Sequence, residues 1–72
     1  MTLDKAKKGQ ILKILSIPDA KIKAQAIRFG ISEGEMVICS EVIPLGPVII
    51  RKNNQEIALG RNLAKQITVI SN

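Results

Sequence analysis

The segment AQAIRFGISEG, residues 24–34, together with Pro44-Leu45-Gly46-Pro47 ten residues later, decides the fold of this chain. The first segment predicts the end of an amphipathic helix, with Gly30 as a left-handed stop, followed by a turn over 32–35. The apolar run 36–39 then predicts the beginning of a strand. A helix end in this position is unusual, because the rest of the chain is typical of strands.

Outward from this segment, the sequence predicts five short strands separated by turn residues. The predicted strands are residues 10–17, 36–43, 48–52, 55–59 and 67–70. Asn53-Asn54 tolerates positive φ and suits a tight hairpin between the third and fourth strands. One helix is predicted over 20–29 with Asp19 as its N-cap, and one helical turn over 60–65. These elements predict a mainly β fold, a small SH3-like barrel with one inserted short α-helix, as a single domain over residues 1–72.

Two further predictions concern the faces of these elements. Ile22, Ala26 and Phe29 recur at helical spacing, so the only aromatic ring of the chain is expected in the core. Strict alternation in the second strand places Glu41 on the same side as Cys39. The first strand carries apolar residues on both faces, as expected if a helix or a partner covers the outside of the barrel.

Length and composition limit the class of protein. With 72 residues and 46% hydrophobic residues, the chain predicts one domain of modest stability. Its apolar runs are far shorter than the roughly 20 residues that cross a bilayer, and no signal peptide is recognisable. A lone cysteine forms no internal disulfide, so a reducing, cytoplasmic location is expected.

The net charge of +5 favours an anionic partner, and its distribution is uneven. The cations gather in the first part of the chain: Lys5, Lys7, Lys8, Lys13, Lys21, Lys23 and Arg28. Single-stranded nucleic acid is normally held by such cations interleaved with aromatic platforms, and this chain has a single aromatic residue that is predicted to be core. A nucleic-acid partner is therefore disfavoured relative to a solvated or protein-facing basic surface.

Catalytic and metal-binding chemistry is poorly represented in the sequence. The chain has no histidine, the commonest general base and transition-metal ligand. Glu33 and Glu35 are close in sequence but lie in a predicted turn, where solvated carboxylates are expected. Cys39 with Glu41 offers one soft ligand and one hard ligand, which allows at most a weak divalent metal site. The sequence therefore predicts a protein that is not an enzyme, with no catalytic residues and no tightly held cofactor.

The chain resembles the FeoA family, small cytoplasmic proteins of ferrous iron uptake. The resemblance rests on the family pattern of a glycine, a hydrophobic residue and a second glycine before a strand, on the P-L-G…P loop, and on a closing A-L…A…I-x-V pattern. The matching residues are Gly30, Ile31, Gly34, Pro44, Leu45, Gly46, Pro47, Ala58, Leu59, Ala64, Ile67 and Val69. The resemblance implies that Val37 and Cys39 face the interior, and that the protein docks on the cytoplasmic GTPase domain of the membrane transporter FeoB as a regulatory accessory.

Partner contacts are expected at two places. The rigid, uncharged loop would present Leu45, Gly46 and Pro47, with the Leu45 side chain projecting outward and not capping the barrel. The basic residues Lys7, Lys8, Lys23 and Arg28 would attract an acidic partner surface. Contact with the membrane would come only through the transporter. Two alternatives stay open: a domain that binds a divalent transition metal at low affinity, and a basic nucleic-acid-binding barrel.

Overall fold

The computed structural model describes all residues, Met1–Asn72, and contains five antiparallel strands in one sheet. The strands are β1 (Ile11–Ser16), β2 (Met36–Val42), β3 (Val48–Lys52), β4 (Gln55–Leu59) and β5 (Thr68–Ser71). A 3₁₀ turn (Leu3–Lys5) precedes β1, the helix α1 (Ala20–Arg28) connects β1 to β2, and the short helix α2 (Arg61–Ala64) precedes β5. The strand order is β4-β3-β2-β1-β5, and the fold is mainly β and SH3-like, as predicted. No helix is long and apolar enough to cross a membrane.

Helix α1 begins and ends at the predicted signals, one residue earlier than expected at its C-terminus. The Asp19 carboxylate accepts hydrogen bonds from the backbone N–H groups of Lys21 (2.8 Å) and Ile22 (3.1 Å), as an N-cap does. At the other end Gly30 has φ 79°, and its N–H donates to the carbonyl of Ile27 at 2.9 Å. The next residue, Ile31, donates to Ala26 at 2.9 Å, which completes a Schellman motif.

The hairpin between β3 and β4 has the predicted strand bounds and the predicted two-residue turn. Lys52 pairs with Gln55, and the register continues without a break to Val48 and Leu59. Asn53 has φ 56°, the left-handed conformation that asparagine tolerates. The two-residue turn therefore fixes this part of the sheet from local sequence alone.

The core contains sixteen buried residues, all apolar and none aromatic. The prediction that Phe29 lies in the core is wrong, because its side chain is 46% exposed. The Schellman motif explains the difference: the chain reverses at Gly30 and inserts Ile31, fully buried, beneath the end of the helix beside buried Ala26. Ile31 thus takes the position that helical spacing assigned to the ring, and Phe29 stays at the rim as the C-cap.

Strand β2 departs from strict alternation. Val37 and Cys39 are buried, as the resemblance implied, but the pairing with β3 shifts register between Cys39 and Glu41. This β-bulge breaks the period of two, so Glu41 is exposed while Val42 packs against the core. The prediction that Glu41 shares a side with Cys39 is therefore wrong.

The outer face of β1 is not covered by a helix. Ile11 and Leu15 alternate with the buried residues of the strand and are each about half exposed. Ile11 lies directly opposite Ile38 of β2, which is also exposed. The apolar residues on this face are accordingly part of the surface of the isolated chain.

Candidate partner-binding site

The loop between β2 and β3, residues 43–47, is named here the Leu45 loop and forms a tight turn. The N–H of Gly46 donates to the carbonyl of Ile43 at 2.8 Å, and the N–H of Ile43 donates to the carbonyl of Pro47 at 3.1 Å. Pro44 occupies the second position of the turn, where proline pre-sets φ, and Leu45 occupies the third with φ 58°. The loop therefore has a defined conformation without any charged residue of its own.

The side chain of Leu45 projects into solvent and is 98% exposed. This outcome agrees with the expectation of projection and rules out a role for Leu45 as a cap over the barrel. A positive φ at the third turn position normally belongs to glycine or asparagine, because a Cβ there approaches the following carbonyl. Leucine thus occupies a backbone conformation that costs about 1 kcal/mol or more and gains no burial in return.

Gly46 is required by the close packing of the turn. A Cβ built on Gly46 would lie 2.9 Å from Cγ2 and 3.3 Å from Cβ of Ile43, closer than carbon atoms pack. Ile43 itself is partly exposed and borders the loop. The glycine therefore allows the chain to fold back on Ile43 and to leave Leu45 at the tip.

Arg61, at the beginning of α2, is the residue of this site that the sequence analysis missed. Its Nε donates to the carbonyl of Gly46 at 3.1 Å, and its Nη2 donates to the carbonyl of Ile43 at 2.9 Å. The hairpin register contains the signal that would have found it: Val48 pairs with Leu59, so two more residues on each side place Gly46 opposite Arg61. No other side chain hydrogen-bonds to the Leu45 loop.

The predicted basic residues lie in two separate segments of the chain. Lys7 and Lys8 are exposed in the turn before β1, where the neighbouring Gly9 donates to the carbonyl of Cys39 at 2.7 Å. This contact places the turn beside the middle of β2. Lys23 and Arg28 are on α1, beyond the other end of β1, a strand of six residues or roughly 20 Å.

Lys23 is also engaged within the chain, since its Nζ lies 3.0 Å from the Glu33 carboxylate. That carboxylate accepts a hydrogen bond from the N–H of Ile17 at 3.0 Å. The bond from Ile17, and then the Lys23 ammonium, hold the pKa of Glu33 below its ordinary value. Glu33 thus joins the end of β1 to the turn after α1.

Glu35 has an equivalent structural role. Its carboxylate lies 2.7 Å from Nζ of Lys52 and accepts a hydrogen bond from the N–H of Ser32 at 2.9 Å. Lys52 first, and then the Ser32 bond, lower the pKa of Glu35. The same ammonium also donates to the carbonyl of Gly30. Both carboxylates of the turn are therefore ionised acceptors that hold the backbone, which is not the arrangement of a general acid and base.

Cys39 is fully buried, and burial raises the pKa of its thiol. Its Sγ lies 4.0 Å from the backbone carbonyl of Glu41, while the Glu41 side chain is exposed beyond the bulge. The structure contains no group of three or more histidine, cysteine or acidic side chains close enough to hold a metal ion. A protonated thiol without companion ligands does not fit a resident divalent metal.

Phe29 is exposed, so its ring is accessible to a base, whereas a core position would have excluded it from nucleic-acid binding. It remains the only aromatic residue of the chain. Barrels that bind single strands stack successive bases on several aromatic side chains. One ring at the rim of α1 does not make such a row.

The chain matches a family model and several solved structures. The model described as "FeoA domain" matches residues 1–71. A crystal structure of an iron uptake regulatory protein, FeoA, superposes with a TM-score of 0.90 at 22% identity and covers 99% of this chain and 96% of that chain. A FeoA-like protein from Clostridium acetobutylicum gives a TM-score of 0.86 at 20% identity, covering 99% of this chain and 85% of that chain.

One further solved structure comes from a larger protein. ScaR with bound Zn²⁺ gives a TM-score of 0.86 at 21% identity, covering 96% of this chain and 35% of that chain. A comparison with curated proteins gives no significant match. The structural likenesses, at these identities, establish the fold.

Proposed function

The chain belongs to the FeoA domain family. We propose that it is a non-enzymatic accessory protein of ferrous iron uptake that docks on a FeoB-type transporter. Membership of the family supports the role in ferrous iron transport. The docking site on the partner is the cytoplasmic GTPase domain, which places this protein in the cytoplasm and in contact with the membrane only through its partner. The role is regulatory, and the protein itself does not transport iron.

The observation that supports docking most directly is the exposure of Leu45. A leucine that is 98% exposed, in a left-handed conformation, contributes nothing to the core of the isolated chain. Its strain is useful only if the side chain is buried when a partner is present, because burying a leucine returns about 1.5–3 kcal/mol. The rigidity of Pro44 and Pro47 reduces the conformational entropy that the loop loses on binding.

The basic residues support an acidic partner surface. Lys7 and Lys8 are exposed in the turn before β1, so they can add attraction to an acidic partner. Lys23 and Arg28 lie on α1 and contribute through the long-range field of the protein. In this proposal Leu45, Gly46 and Pro47 form the contact, and the four cations accelerate the encounter.

The test measures binding of the full chain to the purified cytoplasmic GTPase domain of the FeoB-type transporter from the same organism. Leu45→Ala should weaken binding by about 1 kcal/mol or more, as expected for an interface anchor. Leu15→Ala is the matched control, since Leu15 is an exposed leucine on the outer face of β1, away from the loop. Equal binding by the unaltered chain and Leu45→Ala, or no binding by either, would contradict the proposal.

A further inference from the structure

Arg61 holds the Leu45 turn in place from outside the loop. Its guanidinium bonds the carbonyls of Ile43 and Gly46, the first and last residues of the hydrogen-bonded turn, at 2.9 and 3.1 Å. Strained backbone conformations persist only where the surroundings fix them. Arg61 is the only side chain that hydrogen-bonds the loop, so it adds to the backbone bonds and to Pro44 in stabilising the left-handed conformation of Leu45.

The charge of Arg61 is not neutralised within the chain. The three ion pairs of the structure are Lys23–Glu33, Arg51–Glu56 and Lys52–Glu35. None of them includes Arg61, so no carboxylate lies within 4.0 Å of its guanidinium. The side chain is half-buried, and it lies beside a loop without any charged residue. The bond from Arg61 to Gly46 is partly buried and its bond to Ile43 is exposed, so an anionic group can reach the guanidinium from solvent. A partner that covers this surface would exclude water and strengthen the attraction between the two charges.

The guanidinium also retains hydrogen-bond donors. Arginine has five N–H groups, and the two bonds to the loop use only Nε and one hydrogen of Nη2. The remaining N–H groups of a planar guanidinium suit a carboxylate, which accepts bonds at about 2.7–2.9 Å. Arg61 can therefore hold the loop and bind an external carboxylate at the same time.

We propose that Leu45 and Arg61 form a single two-point recognition element, in which Leu45 enters an apolar pocket of the protein partner and Arg61 pairs with a carboxylate at the edge of that pocket. The inference rests on the proposed docking function and adds the chemistry of the surface that the loop recognises. It assigns Arg61 two roles, as the residue that positions the Leu45 turn and as a direct contact. The partner site is then an apolar cavity bordered by an aspartate or glutamate.

The experiment compares Arg61→Met, Arg61→Lys and the control Arg51→Met in the full chain, with the same purified GTPase domain as the probe. Arg51 is an exposed arginine of β3 paired with Glu56 at 3.7 Å, so its substitution removes the same charge away from the loop. Binding is measured by calorimetry at about 50 mM and about 500 mM salt, which changes the screening of exposed charges. Hydrogen exchange of the Gly46 amide reports the turn separately from binding.

Arg61→Met should weaken binding roughly tenfold or more and flatten its salt dependence, since it removes both roles. Arg61→Lys should keep most of the salt dependence and still weaken binding, because an ammonium does not reproduce the two bonds of the guanidinium. Both variants should accelerate exchange of the Gly46 amide, whereas Arg51→Met should alter neither exchange nor binding beyond about twofold.

Two outcomes would overturn the inference while leaving the docking function intact. If Leu45→Ala weakens binding and Arg61→Met binds as Arg51→Met does, Arg61 has no part in recognition. If Arg61→Met and Arg61→Lys weaken binding equally with unchanged salt dependence, Arg61 only positions the turn and no carboxylate faces it. Absence of binding by the unaltered chain would overturn the docking function and this inference together.

Discussion

Replacing Leu45 by glycine should raise the stability of the protein, although it removes an apolar side chain at the tip of the loop. A left-handed conformation costs an L-residue about 1–2 kcal/mol, and glycine avoids that cost. Glycine also increases the entropy of the unfolded chain, which lowers stability by roughly 0.5–1 kcal/mol. Because the leucine is 98% exposed, its removal forfeits almost no burial. The net gain in the free energy of unfolding is then about 0 to 1.5 kcal/mol.

The change is measured by urea denaturation and thermal unfolding followed by far-ultraviolet circular dichroism, since the chain lacks tryptophan and tyrosine. At the middle of the range, the melting temperature of Leu45→Gly should rise by roughly 3–6 °C. Leu45→Ala keeps the left-handed penalty and should stay within about 0.5 kcal/mol of the unaltered chain. A loss of about 2–5 kcal/mol in Leu45→Ala would mean that the leucine is buried in solution, and the reasoning would be refuted.

Two further predictions concern the buried thiol and the carboxylates of the turn. Cys39 should react slowly with thiol reagents in the native state, because burial keeps it protonated, and a labelling rate equal to that of the urea-unfolded chain would contradict its placement. Lys52 lowers the pKa of Glu35 in the folded state. The ionised Glu35 carboxylate therefore stabilises the fold at pH values above its ordinary pKa of 4.5, and this stabilisation is lost as pH falls through the pKa of the folded state. As pH is lowered from about 6 to about 3, the unfolding midpoint should therefore fall less steeply for Glu35→Gln than for the control Glu41→Gln. Glu41 is the control because its carboxylate is exposed and has no cationic partner. Equal slopes for the two variants would contradict the Lys52 contact.

The elements that the sequence predicts well are those set by neighbouring residues. The strands β3 and β4 match their predicted bounds because Asn53-Asn54 fixes the turn, and the turn fixes the register. The start of α1 follows from the Asp19 cap, and Gly30 adopts the positive φ expected of a helix stop. Leu45 projects as expected, although its left-handed φ is a finding of the structure.

The predictions that failed depend on how segments meet in space. Periodicity assigned Phe29 to the core, but the reversal at Gly30 lets Ile31 fill that position. Alternation assigned Glu41 to the inner side, but the bulge in β2 shifts the phase by one residue. Neither a choice between two apolar residues at a helix end nor the position of a bulge is encoded in the periodicity itself.

The position of Arg61 could have been predicted from the sequence, but only by first assigning the β3–β4 register and then extending it beyond the strands. No motif marks an arginine at the first position of a short helix, so a search of the sequence for catalytic or binding motifs does not find Arg61. Extending the β3–β4 register past Leu59 places it opposite Gly46, where a long side chain with several donors reaches the loop carbonyls. The Leu45 loop could therefore be identified from its own sequence, whereas the contact from Arg61 could be identified only from the pairing of β3 with β4.

Stability and binding should change in opposite directions at Leu45, and this opposition separates recognition from packing. Truncation of a core residue lowers both stability and binding, because it destabilises the fold that presents the binding surface. Leu45→Gly relieves strain in the free chain, yet it removes the apolar anchor and loosens a turn that Pro44 and Arg61 hold rigid. The looser loop must also lose more conformational entropy when the partner binds. A more stable variant that binds less well is thus the expected result of a loop whose strain is retained for a partner.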